Sequence, residues 1–427
     1  MRERLTRNDW LFIAACVLLV GGSLFVILKW FSRAFPEAAL DLKVDRQSSL
    51  AVAESLLRAQ HIPTAGLKHT TTFESDDDSR IFLERTIGLD RQNAEVRRGV
   101  HLWAWHHRWF KPQQEEEWQL DVAPTGEITG YADKLPEDRA VPDLDGGAAR
   151  ALAEGFLTQV RVNVADLLLV SNSERRLPHR TQRIFTWESQ SLRPGGAPYR
   201  TIVTVDGNRV TRYAQGLKVP DAWARQYREL RSKNNLAGGV DTILIIITTI
   251  CALIVFILRL RRGDVSIPML LAVAAVAIVL TAGNGINSYP GALAGYETTD
   301  SFAAFVAKYV FLGILMSGFG LAMFLVVLTG AGETLYRERL PRQLAIPRLW
   351  TRRALTSKRV FRSFVLGYSM VAFFLAYQVA FYLIAGKFGA WSPAEVPRTN
   401  ERKTRLEVRA RRVQSRGRAS CRGSRSR

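Results

Sequence analysis

Cysteine is nearly absent. Cys16, Cys251 and Cys421 are the three in 427 residues, with no Cys-x-x-Cys pair and no zinc-ligand spacing. That excludes a disulfide-stapled scaffold and the common redox and structural-metal motifs. Histidine stops at His179, so the second half of the chain offers no imidazole for a metal or a proton transfer. Adjacent glutamates occur only in the run Glu115 to Glu117, inside a polar stretch. The segment Gly330-Ala331-Gly332-Glu333 is followed by no Lys-Ser or Lys-Thr, and no strand pattern precedes it, so it is not a phosphate-binding loop.

What is present is unevenly placed. Fifty-nine Lys and Arg against 39 Asp and Glu give a formal charge of +20 and a pI near 10.3, a balance that normally points to nucleic acid. Yet 47% of the residues are hydrophobic and the mean hydropathy is −0.02. Charge and apolar character are therefore segregated along the chain, and a disordered polyelectrolyte is excluded.

Five apolar runs carry the segregation: Leu11 to Phe31, Thr242 to Leu258, Ile267 to Ala282, Phe302 to Thr329 and Phe364 to Ala385. A helix of about 20 residues crosses a hydrocarbon core of about 30 Å, so each predicts a membrane span. The third is the shortest, and its Gly283-Asn284-Gly285 exit either extends or breaks it. The first run exceeds the roughly 7–15 apolar residues of a secretion signal and ends on no Ala-x-Ala-like site, so we expect an uncleaved anchor. Arginine clusters before span one, after span two and after span four. The positive-inside bias then places the N-terminus in the cytoplasm and the chain between spans one and two outside it. The expected organisation is an N-terminus and anchor over 1–31, an extracytoplasmic α+β domain over 32–235, a four-span region over 242–386 with a basic cytoplasmic loop at 333–362, and a tail at 398–427.

The extracytoplasmic stretch repeats itself, in halves of about 41–138 and 147–220. SSLAVAESLLRAQHI (Ser48 to Ile62) and GAARALAEGFLTQVRV (Gly147 to Val162) share Ala and Leu at helical spacing around a central Ala-Glu. Aromatic strand-like runs follow at His101 to Phe110 and Arg183 to Leu192. Hairpin-like stretches close each half, at Trp118 to Asp133 and Tyr199 to Ala214, the latter with Asp206-Gly207 between β-branched residues. A helix followed by a small antiparallel sheet, with a turn near an Asp-Gly pair, resembles the PepSY-type module. That resemblance implies a small extracytoplasmic binding or inhibitory module without catalysis; a generic α+β domain is the other reading. All six histidines lie here: His61, His69, His101, His106, His107 and His179. On a strand His101, Trp103, Trp105, His107 and Trp109 share one face, with His106 opposite, and we expect core or partner-facing packing there instead of a metal site. Asp76, Asp77 and Asp78 lack the Gly and distal Glu of a calcium loop, and the pattern predicts a solvated turn.

After span four, Leu340, Leu344, Leu349, Trp350 and Leu355 interleave with arginines, and Pro341 and Pro347 forbid one continuous helix. Such a segment suits a membrane surface, where each basic residue gains about 1 kcal/mol from anionic headgroups. Glu333 and Arg337 are i,i+4 neighbours, expected as a surface pair or interface anchor. The run GETLYRERLPRQLAIPRLW, its basic loop and the span FVLGYSMVAFFLAYQVAFYLIAGKFGAWSPAEVP look like the region upstream of the catalytic core in a bacterial subgroup of CPBP intramembrane proteases, relatives of the type II CAAX prenyl endopeptidase and the bacteriocin-processing proteins. The resemblance covers about Asp241 to Pro397. It implies a multi-pass protein of the bacterial inner (plasma) membrane and a Glu-Glu-x-x-x-Arg motif with later histidines, none of which can be placed in this chain. No catalytic, cofactor-binding or metal-binding residue is therefore assigned, no cofactor is expected, and as written the chain should not hydrolyse peptides.

The last 30 residues hold 12 Lys and Arg against two Glu and no aromatic residue. They are expected to be disordered. Five spans place this net +10 outside the cell, against the positive-inside bias; an Arg/Ser/Gly-rich end is also what a GC-rich frame yields when shifted, and we expect a protease frame to Pro397 and an out-of-frame tail. Three readings follow: the N-terminal part of a CPBP-type protease without its active site, a non-catalytic membrane sensor or scaffold, and a transporter-like protein for which only Lys308 and the Gly283–Gly285 break speak. The expected partners are the lipid bilayer and an extracytoplasmic protein or peptide ligand, with no nucleic acid.

Overall fold

The computed structural model describes residues 5–35, 42–340, 354 and 357–387; residues 341–353 and 355–356 of the basic loop expected over 333–362, and the 398–427 tail, lie outside the described residues. Five helices among them are long and apolar enough to cross a membrane, and one antiparallel sheet forms a domain between the first and second.

The domain is built from two like units. In the first, Asp45 caps helix α2 (Arg46–Ala59), its carboxylate accepting from the Ser48 N–H at 2.8 Å. In the second, Asp145 caps α5 (Gly146–Gln159) by accepting from the Ala148 N–H, also at 2.8 Å. Burial falls at Ser49, Ala53, Leu56 and Leu57 in one and at Ala149, Ala153, Phe156 and Leu157 in the other, one stripe at i, i+4, i+7, i+8. Both helices end alike. The Ile62 N–H bonds back to Leu57 and the Val162 N–H to Leu157, across His61 and Arg161 at φ 57° and 63°, the Schellman arrangement with a side chain where glycine is usual.

Each helix is followed by four strands: β1 (Lys68–Ser75), β2 (Trp103–Phe110), β3 (Glu117–Val122) and β4 (Ile128–Lys134), then β5 (Leu167–Arg176), β6 (Thr181–Ser189), β7 (Tyr199–Asp206) and β8 (Arg209–Leu217). They form one eight-stranded sheet in the order β1-β2-β3-β4-β8-β7-β6-β5, the second half being the mirror order of the first. One row of partners crosses it all: Thr71, His107, Leu120, Tyr131, Tyr213, Val203, Phe185 and Asn172. At the seam, β4 and β8 share three pairs, Gly130 with Ala214, Tyr131 with Tyr213 and Ala132 with Arg212. The stripes of α2 and α5 bury the middle of this row, from Leu120 to Phe185, in a single core with Trp109, Trp118 and Trp187, while Asn172 on the edge strand is exposed.

Several local expectations change. ESDDDSR is a helix start and not a turn: Asp76 caps α3 (Asp77–Ile87), accepting from the Ser79 N–H at 3.2 Å, and Asp77 and Asp78 sit in the first turn, where negative charge is favoured. Helix α3 and α4 (Leu89–Arg97) separate β1 from β2 and build a second core from Phe82, Leu83, Trp103 and Tyr199. The hairpin loop between β7 and β8 is Gly207-Asn208, one residue beyond the Asp-Gly pair, because Asp206 already pairs with Arg209. Gly207 has φ +58°, and a Cβ there would stand 2.7 Å from the Pro142 carbonyl oxygen.

Helix α6 (Asp221–Arg261) runs 41 residues without a break, about 60 Å. Its Trp223 packs edge-on to Phe82 in the second core, and its far end is the span Gly238–Arg261. Helix α7 (Ile267–Ala294) continues straight through Gly283-Asn284-Gly285; a Cβ on Gly285 would lie 2.6 Å from Ile314, so that glycine admits a neighbouring helix instead of breaking its own. The fourth span comprises α8 (Phe302–Lys308), a π-helical turn at Tyr309–Met316 and α9 (Ser317–Arg339). Helix α10 (Lys358–Lys387) packs along α1 (Arg7–Ala34), while α6 and α7 pack on α9. Leu18, Leu28, Ile245, Val279, Phe319 and Tyr368 stand exposed on the outer faces, which suits a lipid environment.

Candidate functional site

Strand β2 points its side chains alternately to the two faces of the sheet. Trp105, His107 and Trp109 face the helices, as expected from the sequence, though the strand begins at Trp103 and leaves His101 outside it. The other face carries His106, Arg108 and Phe110. There the extramembrane turn after α7 docks on the sheet.

Arg108 is the centre of the contact. Its side chain is 6% exposed, and its Nε donates to Glu117 Oε2 at 2.9 Å. Its Nη2 reaches the same oxygen. The Nη1 donates to two backbone carbonyls 186 and 188 residues away, Ala294 at 3.0 Å and Tyr296 at 2.7 Å. The Ala294 carbonyl ends α7, whose last C=O groups have no helical partner and carry the negative end of the helix dipole, and Tyr296 lies in the turn just beyond it. A strand arginine thus caps a helix long and apolar enough to cross a membrane. Around it Phe110 packs on Leu293 and Tyr296, with Tyr289, Phe302 and Phe305 at the margin. The Thr70 hydroxyl donates to the Pro290 carbonyl at 2.7 Å, the Gln113 N–H to the Thr298 carbonyl at 2.8 Å, and the Lys68 ammonium lies 4.2 Å from the centre of the Phe302 ring. The sequence did not single out Arg108, Thr70 or Tyr296, and it marked Glu117 only as one of the run Glu115 to Glu117. The available signal was the lone arginine in WAWHHRWF, since a charge in a strand buried on both faces requires a partner.

On the helix-covered face lies a closed polar chain. The Ser49 hydroxyl donates to the Arg46 carbonyl at 2.9 Å, so its oxygen is left to accept from His107 Nε2–H at 3.1 Å. That fixes the tautomer. His107 Nδ1 then accepts from the Thr71 hydroxyl at 3.1 Å, whose oxygen in turn accepts from His69 Nε2–H at 3.3 Å. Burial holds His107 neutral down to about 3 and His69 down to about 4, aided by the positive charge of Arg46. Ser49 and His107 are 0% exposed, which suits a structural network and denies a substrate access. His106 faces the other way and pairs with Asp121 at 2.5 Å; a Cβ on Gly130 would stand 2.4 Å from that carboxylate. Across the seam Asp133, raised to about 6 by burial against the pull of Arg209 at 3.0 Å, ties β4 to β8. Among the described residues no three His, Cys, Asp or Glu side chains converge as metal ligands do.

At the opposite end of the membrane helices, Arg259 pairs with Asp264 and Glu338, and Arg337 donates to the Asp264 carbonyl. Glu333 is no surface group: its side chain is 1% exposed, with Arg337 at 3.7 Å and no hydrogen bond to either oxygen. Gly330 explains the burial, for it lets α9 approach Phe256 and Leu270 so closely that a Cβ would lie 2.6 Å from the Phe256 ring.

No known protein-family profile matches the chain, and no curated protein matches it. Among solved structures, the C-terminal domain of YpeB from Bacillus megaterium aligns at 13% identity and a TM-score of 0.27, over 41% of this chain. The chain spans 64% of the length of that domain.

Proposed function

We propose that this chain is the N-terminal part of a CPBP-type intramembrane protease of the bacterial plasma membrane, lacking the Glu-Glu-x-x-x-Arg and histidine motifs, in which an extracytoplasmic domain of two PepSY-like halves conveys the presence of a protein or peptide ligand to the membrane helices. The observation that carries the conveying role is the Arg108 contact, which couples the sheet to the end of α7. The residues that resemble the protease family, Gly332 to Pro397, carry the family part. The arginines that flank the apolar spans at the ends of α6 and α9, Arg259, Arg261, Arg337 and Arg339, lie at the helix ends opposite the sheet, which supports a cytoplasmic N-terminus under the positive-inside bias.

Alkaline phosphatase fused near residue 130 is expected to be active; an expressed but inactive fusion would refute the orientation. Purified protein in vesicles is expected to leave membrane peptides intact, and turnover would refute the loss of the catalytic set. The second reading is a non-catalytic sensor or scaffold. Strand β5 favours it: among the described residues it pairs with β6 alone, and Leu168 and Val170 stand 56% and 43% exposed along it, a template for an added strand. Translating the DNA beyond codon 397 in the other two frames separates the readings. Further apolar spans with Glu-Glu-x-x-x-Arg support the protease, and their absence the sensor.

A further inference from the structure

We infer that the cavity between the starts of α1 and α10 binds the phosphate headgroup of an anionic lipid. It measures about 580 Å3, within the roughly 300–1,000 Å3 of small-molecule sites and far larger than one phosphate ion needs. It is lined by Lys358, Arg359 and Arg362, by the hydroxyl residues Ser357 and Ser363, and by the apolar Phe12 and Leu366. Asp9 stands beside it, 3% exposed, pairing with Lys358 and lying 3.6 Å from Arg362. These four ionic groups sum to two positive charges.

The basic groups are held in place. Asp9 is fixed from behind by the Thr6 N–H at 2.7 Å and the Thr6 hydroxyl at 2.6 Å. The Arg362 guanidinium lies 4.5 Å from the centre of the Phe12 ring, a cation–π contact that orients its planar fork for a phosphate. Depth decides the chemistry of the ligand. Leu366 lies two turns beyond Lys358, about 12 Å along the helix, and Phe12 lies inside the first apolar span. The lining therefore runs from cationic groups at the start of the span, at headgroup level, to apolar groups further along it, at acyl-chain level. A free anion would use only the cationic groups; a phospholipid uses both.

The test uses the full chain purified in detergent and offered dioctanoyl phosphatidylglycerol, dioctanoyl phosphatidylcholine or inorganic phosphate, with binding read by native mass spectrometry. Saturable binding of phosphatidylglycerol is expected, with phosphatidylcholine weaker. The double variant Arg359→Gln/Arg362→Gln is expected to lose about thirtyfold in affinity, the effect of two basic groups at an anionic headgroup. Arg359→Gln alone, which leaves the Asp9 contacts intact, should lose about fivefold by the same reasoning. Arg261→Gln/Arg262→Gln, at the same membrane end but on α6, should change affinity less than about twofold. Equal binding of phosphatidylcholine, or equal losses in both double variants, would overturn the site. Displacement of phosphatidylglycerol by inorganic phosphate at equal concentration would assign the cavity to a free anion and overturn the lipid.

Discussion

Replacing Arg108 by alanine is the sharpest perturbation of the junction between sheet and membrane. It leaves Glu117, 8% exposed, with its main partner gone, and it leaves the carbonyls of Ala294 and Tyr296 without their donor. Breaking one side of a buried pair costs about 3–5 kcal/mol. Lys134, 3.7 Å from Glu117 and 41% exposed, swings in to offset part of this, so we expect a loss of about 3 kcal/mol. That lowers the melting temperature of the domain by about 10 °C. The paired change Arg108→Met/Glu117→Leu removes the stranded carboxylate and should recover most of the stability. It should not recover the dock. Hydrogen exchange in a detergent-purified full chain separates the two effects, because the amides of Gly295, Tyr296 and Asp300 are bonded within the docked turn. They are expected to exchange faster in both variants. A double variant with wild-type exchange at these amides, or an Arg108→Ala loss below about 1 kcal/mol, would refute the claim that the guanidinium holds the turn to the sheet.

Acid should loosen the domain through the buried imidazoles. His107 and His69 titrate near 3 and near 4 in the folded chain against 6.5 as free groups, so the unfolded state gains protons first; stability is full above about pH 7 and falls as the pH drops from there towards 3. At pH 5 His107 alone costs about 2 kcal/mol, and chemical unfolding of wild type against His107→Gln checks it: an equal pH slope in the two would contradict the assignment. The helix ends give a gain instead of a loss. His61→Gly and Arg161→Gly relieve a left-handed side chain worth about 1–2 kcal/mol, less the added freedom of glycine when unfolded, so each should stabilise by about 0.5–1 kcal/mol in thermal unfolding, and a loss in either would show that the cap is unstrained.

The two amphipathic helices and the membrane spans were legible because their periodicity is local: Ala53, Leu56 and Leu57 announce the stripe that Ala153, Phe156 and Leu157 repeat. Strand β1 escaped notice because KHTTTFES is polar, and its partner β2 comes only after two helices. Strand β5 was hidden by its position, since an edge strand exposed along SNSERR shows little alternation. The junction escaped for a different reason. Arg108 binds backbone carbonyls, which every residue carries, and no side-chain pattern marks which pair of them will be presented. Even the Glu115 to Glu117 run, conspicuous as a carboxylate cluster, has its meaning in one member, Glu117, and in an arginine nine residues earlier.

Helix α6 leaves the domain at Trp223 and enters the membrane without a joint, α9 clasps it to α7 there, and α7 comes back to the sheet at Arg108. Sheet, α6, α9 and α7 make a closed frame, not a load hung from a tether. A hanging domain bends without its anchor noticing. A frame has no such slack: a change in the curvature of the sheet must either slide α6 along α7 or open the corner at Arg108, and each of those displacements arrives at the opposite ends of the helices as a change in the spacing of Arg259, Asp264 and Arg337.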